Sequence, residues 1–177
     1  MDSTRRIFQN EKKSKDSSDL NKKNKKCIFI FFYIKINLIN NLMGLNQSIH
    51  KLNFEGMQNI LNNNNSRGKF LIINTLDGNN QSCLIKNTLS PSREIEEITR
   101  LLREDKNINI VIYGENSIDS KVIEKYNQLY KLGFVNLFVY IGGLFEWLLL
   151  QDIYGDEEFP TTSKIVDILK YKGKSII

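Results

Sequence analysis

The sequence predicts an α/β fold, in which a central parallel β-sheet is covered by helices on both faces. Short continuous apolar runs recur along the chain, as expected for strands that are buried on both faces. Amphipathic stretches of helical length separate these runs, which is typical of βαβ units. With 177 residues, of which 41% are hydrophobic, the chain is long enough to bury one full-sized core.

The strands are expected at residues 70–73, 108–113 and 135–140, with a very short one at 83–85. The run at 108–113, Ile-Asn-Ile-Val-Ile-Tyr, is the clearest of them. A polar loop of residues 114–119 follows it. Because ligands in open parallel sheets bind beyond the carboxyl ends of the strands, this loop is the first place to expect a site.

Four helices are expected, one before the first of these strands and three between and after them. Asn53 is a plausible N-cap for the first, Pro91 begins the second, Gly133 ends the third, and Gly142 and Gly143 open into the fourth. A last short helix is expected at residues 164–170. The expected buried stripes of the first three helices are Phe54, Met57, Ile60 and Leu61, then Ile95, Ile98, Leu101 and Leu102, then Val122, Ile123, Tyr126, Leu129 and Tyr130.

The net charge of +5 is concentrated at the start of the chain. Residues 1–26 hold nine Lys and Arg against four Asp and Glu, so the remaining residues are neutral overall. These residues are polar and lack apolar periodicity, and we expect 1–42 to be a disordered or non-native leader. The apolar run at 27–34 is too short to span a bilayer. Because residues 27–177 carry no net charge, no nucleic acid is expected on the folded domain.

Residues 43–52 are a candidate myristoylated N-terminus. Met43-Gly44-Leu-Asn-Gln-Ser48 matches the N-myristoylation pattern, which applies only if translation starts at Met43 and frees Gly44. One acyl chain gives weak membrane association. Two cysteines are too few for a disulfide framework, so a cytoplasmic location is expected, with membrane association if Gly44 is acylated.

The residues from 132 to 147 read Leu-Gly-Phe-Val-Asn-Leu-Phe-Val-Tyr-Ile-Gly-Gly-Leu-Phe-Glu-Trp. This segment resembles the late motif of the rhodanese-like domain family, with Gly142, Gly143, Glu146 and Trp147 in the expected order and spacing. The strand before residue 114 and the helix ending in Leu-Gly-Phe agree with that family too. The resemblance covers residues 49–150 and implies a single rhodanese-like domain, followed by an extension at 151–177 with a short helix.

The resemblance also implies a nucleophilic cysteine directly after the 108–113 strand. Gly114 stands there instead, and it has no side chain that can attack. The equivalents of the active-site loop are Gly114, Glu115, Asn116, Ser117, Ile118 and Asp119, which include two carboxylates and no Arg or Lys. Acidic groups would repel thiosulfate or phosphate. The family's early His-x-Pro-Gly-Ala motif is absent, and Asn74 replaces an acidic residue.

Other conspicuous residues have plain structural interpretations. We expect Ser117 to cap the helix that follows it, Glu146 to support the Gly-Gly turn, and Cys83 to be a small buried apolar residue. Phe145 and Trp147 are interpreted as core, and His50 as a surface residue. The acidic and aromatic stretch at 152–162 fits either a partner surface or a solvated loop.

These features favour a catalytically inactive domain that acts as a binding or regulatory module for an unknown protein partner. We expect no catalytic residue, metal or cofactor. The alternative is a sulfurtransferase that uses a non-standard thiol such as Cys83, so the sequence leans away from an enzyme without excluding one. A phosphatase of the rhodanese-related kind ranks last, since it needs both a loop Cys and an Arg.

Overall fold

The computed structural model describes residues 48–63 and 70–174. They form a four-stranded parallel sheet built from β1 (His50–Leu52), β2 (Phe70–Asn74), β3 (Asn109–Tyr113) and β4 (Leu137–Tyr140), in the order β1-β4-β3-β2. The helices are α1 (Phe54–Asn63), α2 (Pro91–Glu104), α3 (Ser120–Lys131) and α4 (Gly143–Tyr154). The predicted α/β class is confirmed.

Helices cover both faces of the sheet, as predicted. One apolar cluster joins α1 and α4 to the sheet, and a second joins α2 and α3 to the opposite face. Along β3 the side chains alternate, so Val111 lies in the first cluster while Ile110 and Ile112 lie in the second. Burial on both faces explains why this strand reads as a continuous apolar run.

The carboxyl ends of three strands lie side by side. Asn74 is in register with Tyr113, and Tyr113 with Tyr140, so β2, β3 and β4 end at the same level. The chain therefore leaves all three strands at one edge of the sheet, where residues 75, 114 and 141 begin the connections. The fourth strand, β1, was not expected from the sequence because it spans only three residues at the sheet edge, beside β4.

The predicted helix ends agree with the structure at three places. The Asn53 side chain caps α1, accepting a hydrogen bond from the Gly56 amide at 2.9 Å. Pro91 is the first residue of α2. Gly133, just beyond α3, has a φ of 99°, which a residue with a side chain rarely adopts.

The expected buried stripes were too wide. Ile123 is 39% exposed, because the buried seam of α3 runs through Val122, Tyr126 and Leu129 and Ile123 is turned about 100° from Val122. Ile95 is 68% exposed. The first turns of α2 lie beside the residues that follow β2, at the end of the sheet, so the sheet does not cover the Ile95 side chain.

Two predicted elements are absent from the described part of the chain. Residues 83–85 are buried but form no strand. The chain turns at Ile85, whose carbonyl accepts from the Thr88 amide at 3.2 Å, and only one isolated bridge joins Ile85 to Thr161. Residues 164–170 form no α-helix. Only a 3₁₀ turn at Ile168–Tyr171 is present. The expected strand at 135–140 begins at Leu137, since Val135 is exposed.

Packing extends beyond the predicted end of the domain. Residue 150 lies inside α4, and two side chains farther along, Phe159 and Tyr171, are buried in the first apolar cluster. Gly44, the leader at 1–42, the apolar run at 27–34 and Gly68 lie outside the described residues. Within 48–63 and 70–174, no helix has the length and apolar character needed to cross a bilayer.

Candidate active-site loop

The loop that resembles an active site is held between β3 and the start of α4. The backbone amide of Leu144 donates to the Gly114 carbonyl at 2.9 Å, and that of Phe145 donates to the Glu115 carbonyl at 2.8 Å. Amides in the first turn of a helix have no partner within the helix. Here two of them are used to fix the loop rather than left free for an anion.

Gly143 allows this close approach. Its φ is 66°, and a Cβ there would lie 2.7 Å from the backbone nitrogen of Asn116. Only glycine satisfies both conditions without strain. Gly143 is therefore needed to bring α4 against the loop.

Asp119 is the N-cap of α3. Its Oδ1 accepts from the Lys121 amide at 3.0 Å. The expectation that Ser117 caps this helix was wrong, because α3 begins at Ser120 and the cap is the residue just before the first helical one. Ser117 is instead an exposed loop residue.

The other oxygen of Asp119 turns back into the loop. Oδ2 accepts from the Glu115 amide at 3.2 Å and from the Thr75 hydroxyl at 3.4 Å. The carboxylate thus links both ends of the loop and the connection after β2. An anionic group of the chain itself occupies the interior of the loop.

Gly114 is buried beneath this carboxylate. A Cβ at position 114 would lie 2.6 Å from Val122 Cγ2 and still closer to Asp119 Oδ2. The backbone at Gly114 does not have positive φ, so the conformation itself would accept other residues. Space is what requires glycine here, since the volume a side chain would need is filled by Asp119 and Val122.

Two more loop side chains are engaged in hydrogen bonds. Glu115 Oε1 accepts from Asn80 Nδ2 at 2.7 Å. Asn116 Nδ2 donates to the Tyr171 carbonyl at 2.9 Å, and its Oδ1 accepts from the Ile118 amide at 3.2 Å. The two carboxylates of the loop therefore point at hydrogen-bond donors within the chain, while Ile118 is 58% exposed.

Glu146 and Trp147 belong to the wall beside the loop. The Tyr140 hydroxyl donates to Glu146 Oε2 at 2.6 Å, and burial together with this carboxylate raises the pKa of Tyr140 well above its ordinary value. The Glu146 carboxylate lies against Gly142, whose missing side chain leaves room for it. Trp147 has no exposed surface and packs edge-on against Tyr140 and Phe159.

Of the other candidate residues, Cys83 is buried away from solvent and His50 lies outside the loop, on β1. Cys83 has no exposed surface, and its Sγ donates to the Ser163 carbonyl at 3.1 Å. His50 is exposed on β1. Across the described ranges, no three His, Cys, Asp or Glu residues are grouped so that they could hold a metal ion.

A polar cavity of about 290 Å³ lies beside the loop, beyond the end of β2. Asn74 and Thr75 form one wall, and α2 and α3 form the others. Its two lysines are paired with carboxylates, Lys121 with Asp77 and Lys125 with Glu94, each at 2.7 Å. The sequence did not indicate this cavity, because its lining comes from three separate elements.

Residues 80–150 match the family model of the rhodanese-like domain. The chain contains a rhodanese-like domain. The match begins after β2, so three elements lie outside the matched residues: the strands β1 and β2, which belong to the sheet, and the helix α1. The family that the late motif suggested is confirmed.

Solved structures with similar folds include two of Ygr203w from Saccharomyces cerevisiae. One, described as a homolog of single-domain rhodanese and the Cdc25 phosphatase catalytic domain, is 18% identical and covers 66% of this chain and 89% of its own, with a TM-score of 0.48. The other, described as a yeast protein tyrosine phosphatase of the rhodanese family, is 19% identical, covering 68% and 96%, with a TM-score of 0.45.

A third similar structure is the Alr3790 protein from Anabaena sp. It is 22% identical and covers 67% of this chain and 97% of its own, with a TM-score of 0.47. No curated protein sequence matches the chain.

Proposed function

We propose that this rhodanese-like domain is catalytically inactive and acts as a binding module. The observation that carries the proposal is the Asp119 carboxylate, which fills the space that a side chain at position 114 would occupy. A nucleophile at that position would need both a side chain and an interior free to receive an anion. The loop of this chain has neither.

The hydrogen bonding of the loop supports the same conclusion. An anion cradle needs unpaired amides that converge on the ligand. Here the Glu115 and Lys121 amides already bind Asp119, and the first amides of α4 bind loop carbonyls. An incoming thiosulfate or phosphate would have to displace an internal carboxylate and would be repelled by it.

The alternative, sulfur transfer through Cys83, is disfavoured by burial. A reactive thiol needs access to solvent and a positively charged environment that favours the thiolate. Cys83 has no exposed surface and donates its only proton to the Ser163 carbonyl. These are the surroundings of a structural cysteine.

A thiosulfate–cyanide assay tests the inactivity. The full chain and its Cys83→Ser variant are compared for thiocyanate formation, with an active rhodanese as positive control and far-UV circular dichroism to verify folding. We expect no turnover above the uncatalysed rate from either protein. Thiocyanate production by the wild type that is lost in Cys83→Ser would overturn the proposal in favour of the alternative.

A second substrate separates the phosphatase hypothesis. Hydrolysis of p-nitrophenyl phosphate is measured with the same two proteins and with Asp119→Asn, which keeps the volume of the side chain but removes its charge. We expect no activity in any of them, because the loop supplies no nucleophile. Activity that rises when the Asp119 charge is removed would show that the loop still receives phosphate.

A further inference from the structure

The segment after α4 returns to the loop and contacts it. Residues 160–163 run alongside residues 82–86, where one isolated antiparallel bridge joins Ile85 to Thr161. The Lys86 amide donates to the Pro160 carbonyl at 3.0 Å, and the Thr162 amide donates to the Leu84 carbonyl at 2.8 Å. The Ser163 hydroxyl also donates to the Ser82 carbonyl at 2.7 Å. This part is firmly anchored.

The next residues, 164–174, form what we call the strap. Ile165, Ile168 and Tyr171 recur at intervals of three and pack against the first apolar cluster, and Tyr171 has no exposed surface. Side chains at this spacing align along one side of a 3₁₀ turn, which the strap adopts at Ile168–Tyr171. The strap therefore presents one apolar edge to the domain.

The strap rests directly on the candidate loop. Asn116 Nδ2 donates to the Tyr171 carbonyl at 2.9 Å. A Cβ on Gly173 would lie 2.9 Å from Ile118 Cδ1, so strap and loop are in contact there as well. Tyr171 lies in the same apolar cluster as Tyr113, the residue that immediately precedes the loop.

The polar attachment of the strap is sparse. Within the described residues, it is joined to the rest of the domain by the Asn116 bond and by an exposed ion pair between Lys164 and Asp156 at 3.1 Å. The Tyr171 hydroxyl is buried without a hydrogen-bond partner, and this burial costs free energy when the strap is in place. Val166 is fully exposed and Leu169 is 61% exposed, so part of the strap's apolar surface is left in water.

We propose that the strap is a displaceable internal ligand, and that the loop face beneath it docks a partner peptide of the same pattern, apolar-x-x-apolar-x-x-aromatic. The inference rests on the proposed binding function and names the class of partner. The chain's own segment shows what the face accepts: an aromatic ring in the apolar cluster and a backbone carbonyl on Asn116. A partner of this pattern can compete because, within the described residues, only two polar contacts join the strap to the rest of the domain, at Asn116 and Asp156, and the buried Tyr171 hydroxyl has no hydrogen-bond partner.

Fluorescence anisotropy with a labelled peptide of residues 163–174 tests the competition. The peptide is titrated with the full wild-type chain, with Tyr171→Ala, and with Leu169→Ala, a matched control whose altered side chain is mostly exposed. We expect Tyr171→Ala to bind at least tenfold more tightly than the other two, because it leaves the aromatic site empty. A peptide carrying the Tyr171→Ala change lacks the aromatic ring, and we expect it to bind none of the three proteins more tightly than nonspecific control peptides do.

Equal binding by wild type and a folded Tyr171→Ala would overturn the inference, as would absence of binding to that folded variant.

Limited trypsin digestion of the wild type tests the inference if Tyr171→Ala does not fold. Cleavage at Lys170 in water should proceed through local opening, and its rate should be insensitive to low urea. Cleavage there only in step with global unfolding would contradict a displaceable strap. Thiocyanate formation, by contrast, would refute the proposed function and leave these results unaffected.

Discussion

Replacing Gly114 by alanine tests the filled interior of the loop. At a glycine whose φ other residues tolerate, alanine usually stabilises a protein by about 0.4–1 kcal/mol, because it restricts the unfolded chain. Here the added Cβ would lie 2.6 Å from Val122 Cγ2 and closer still to Asp119. Overpacking of that kind costs about 1–3 kcal/mol. We therefore expect Gly114→Ala to be destabilising overall, by about 1.3 kcal/mol when the midpoints of the two ranges are combined.

Changes at Asp119 identify the atom responsible. Asp119→Ser retains a side chain that can cap α3 but removes the carboxylate next to Gly114. Asp119→Asn retains the volume and removes only the charge. Combined with Gly114→Ala, the serine variant should recover about 1 kcal/mol relative to the sum of the single changes, whereas the asparagine variant should recover much less.

Urea denaturation supplies the free energies of unfolding. Trp147, the only tryptophan, is fully buried and reports loss of the core through its fluorescence. Far-UV circular dichroism should give the same midpoint if unfolding is two-state. If Gly114→Ala is stabilising, or if it costs the same in the Asp119→Ser background, the interior of the loop is not filled as described and the main support for inactivity is lost.

Three further predictions concern other parts of the chain. Burial raises the pKa of Tyr113 and Tyr140 above the ordinary value of 10.0, so above pH 10 the folded state retains protons that the unfolded state releases. The contribution of these tyrosines to the free energy of unfolding should therefore be complete below pH 10 and fall above it. The ultraviolet absorbance of both tyrosinates should appear only as the protein unfolds. Gly143→Ala should destabilise by about 1–3 kcal/mol from strain and backbone contact, and by more than Gly155→Ala, which shares a positive φ but meets no atom within 4 Å; thermal denaturation of the pair checks the difference. A chain started at Met43 and co-expressed with a myristoyltransferase should show the acyl mass on Gly44, and an unmodified terminus would remove the expected membrane association.

The sequence was informative about the fold wherever burial was deep and local. The strand at 109–113 has four buried residues in succession, and α1 has a capping residue directly before its apolar face, so both were found. The elements that were missed or wrongly assigned depend on contacts distant in sequence. β1 exists because it pairs with β4 more than 80 residues later, and residues 83–85 are buried without pairing as a strand.

The chemistry of the loop was only partly accessible from the sequence. The absence of a nucleophile at Gly114 is a matter of residue identity and needs no coordinates. Which residue caps α3 depends on where the helix begins, and Ser117 and Asp119 are both residue types that favour caps. The sequence therefore showed two carboxylates in the loop but not that one of them turns inward.

The direction of the Asp119 carboxylate changes the meaning of the acidic loop. Seen from the sequence, Glu115 and Asp119 suggest a negatively charged mouth that would repel anions from outside. In the structure, Asp119 accepts from the Glu115 amide in the loop and from the Lys121 amide in α3, and Glu115 accepts from Asn80, so both carboxylates have hydrogen-bond donors within the chain. The loop side chains that remain exposed are Ser117 and Ile118, and Ile118 lies beside the strap. A face whose carboxylates already have donors within the chain, with an apolar side chain at its edge, is suited to a peptide rather than to a small anion. Apolar contact gains free energy there, whereas an anion would have to compete with Asp119 for the Glu115 and Lys121 amides.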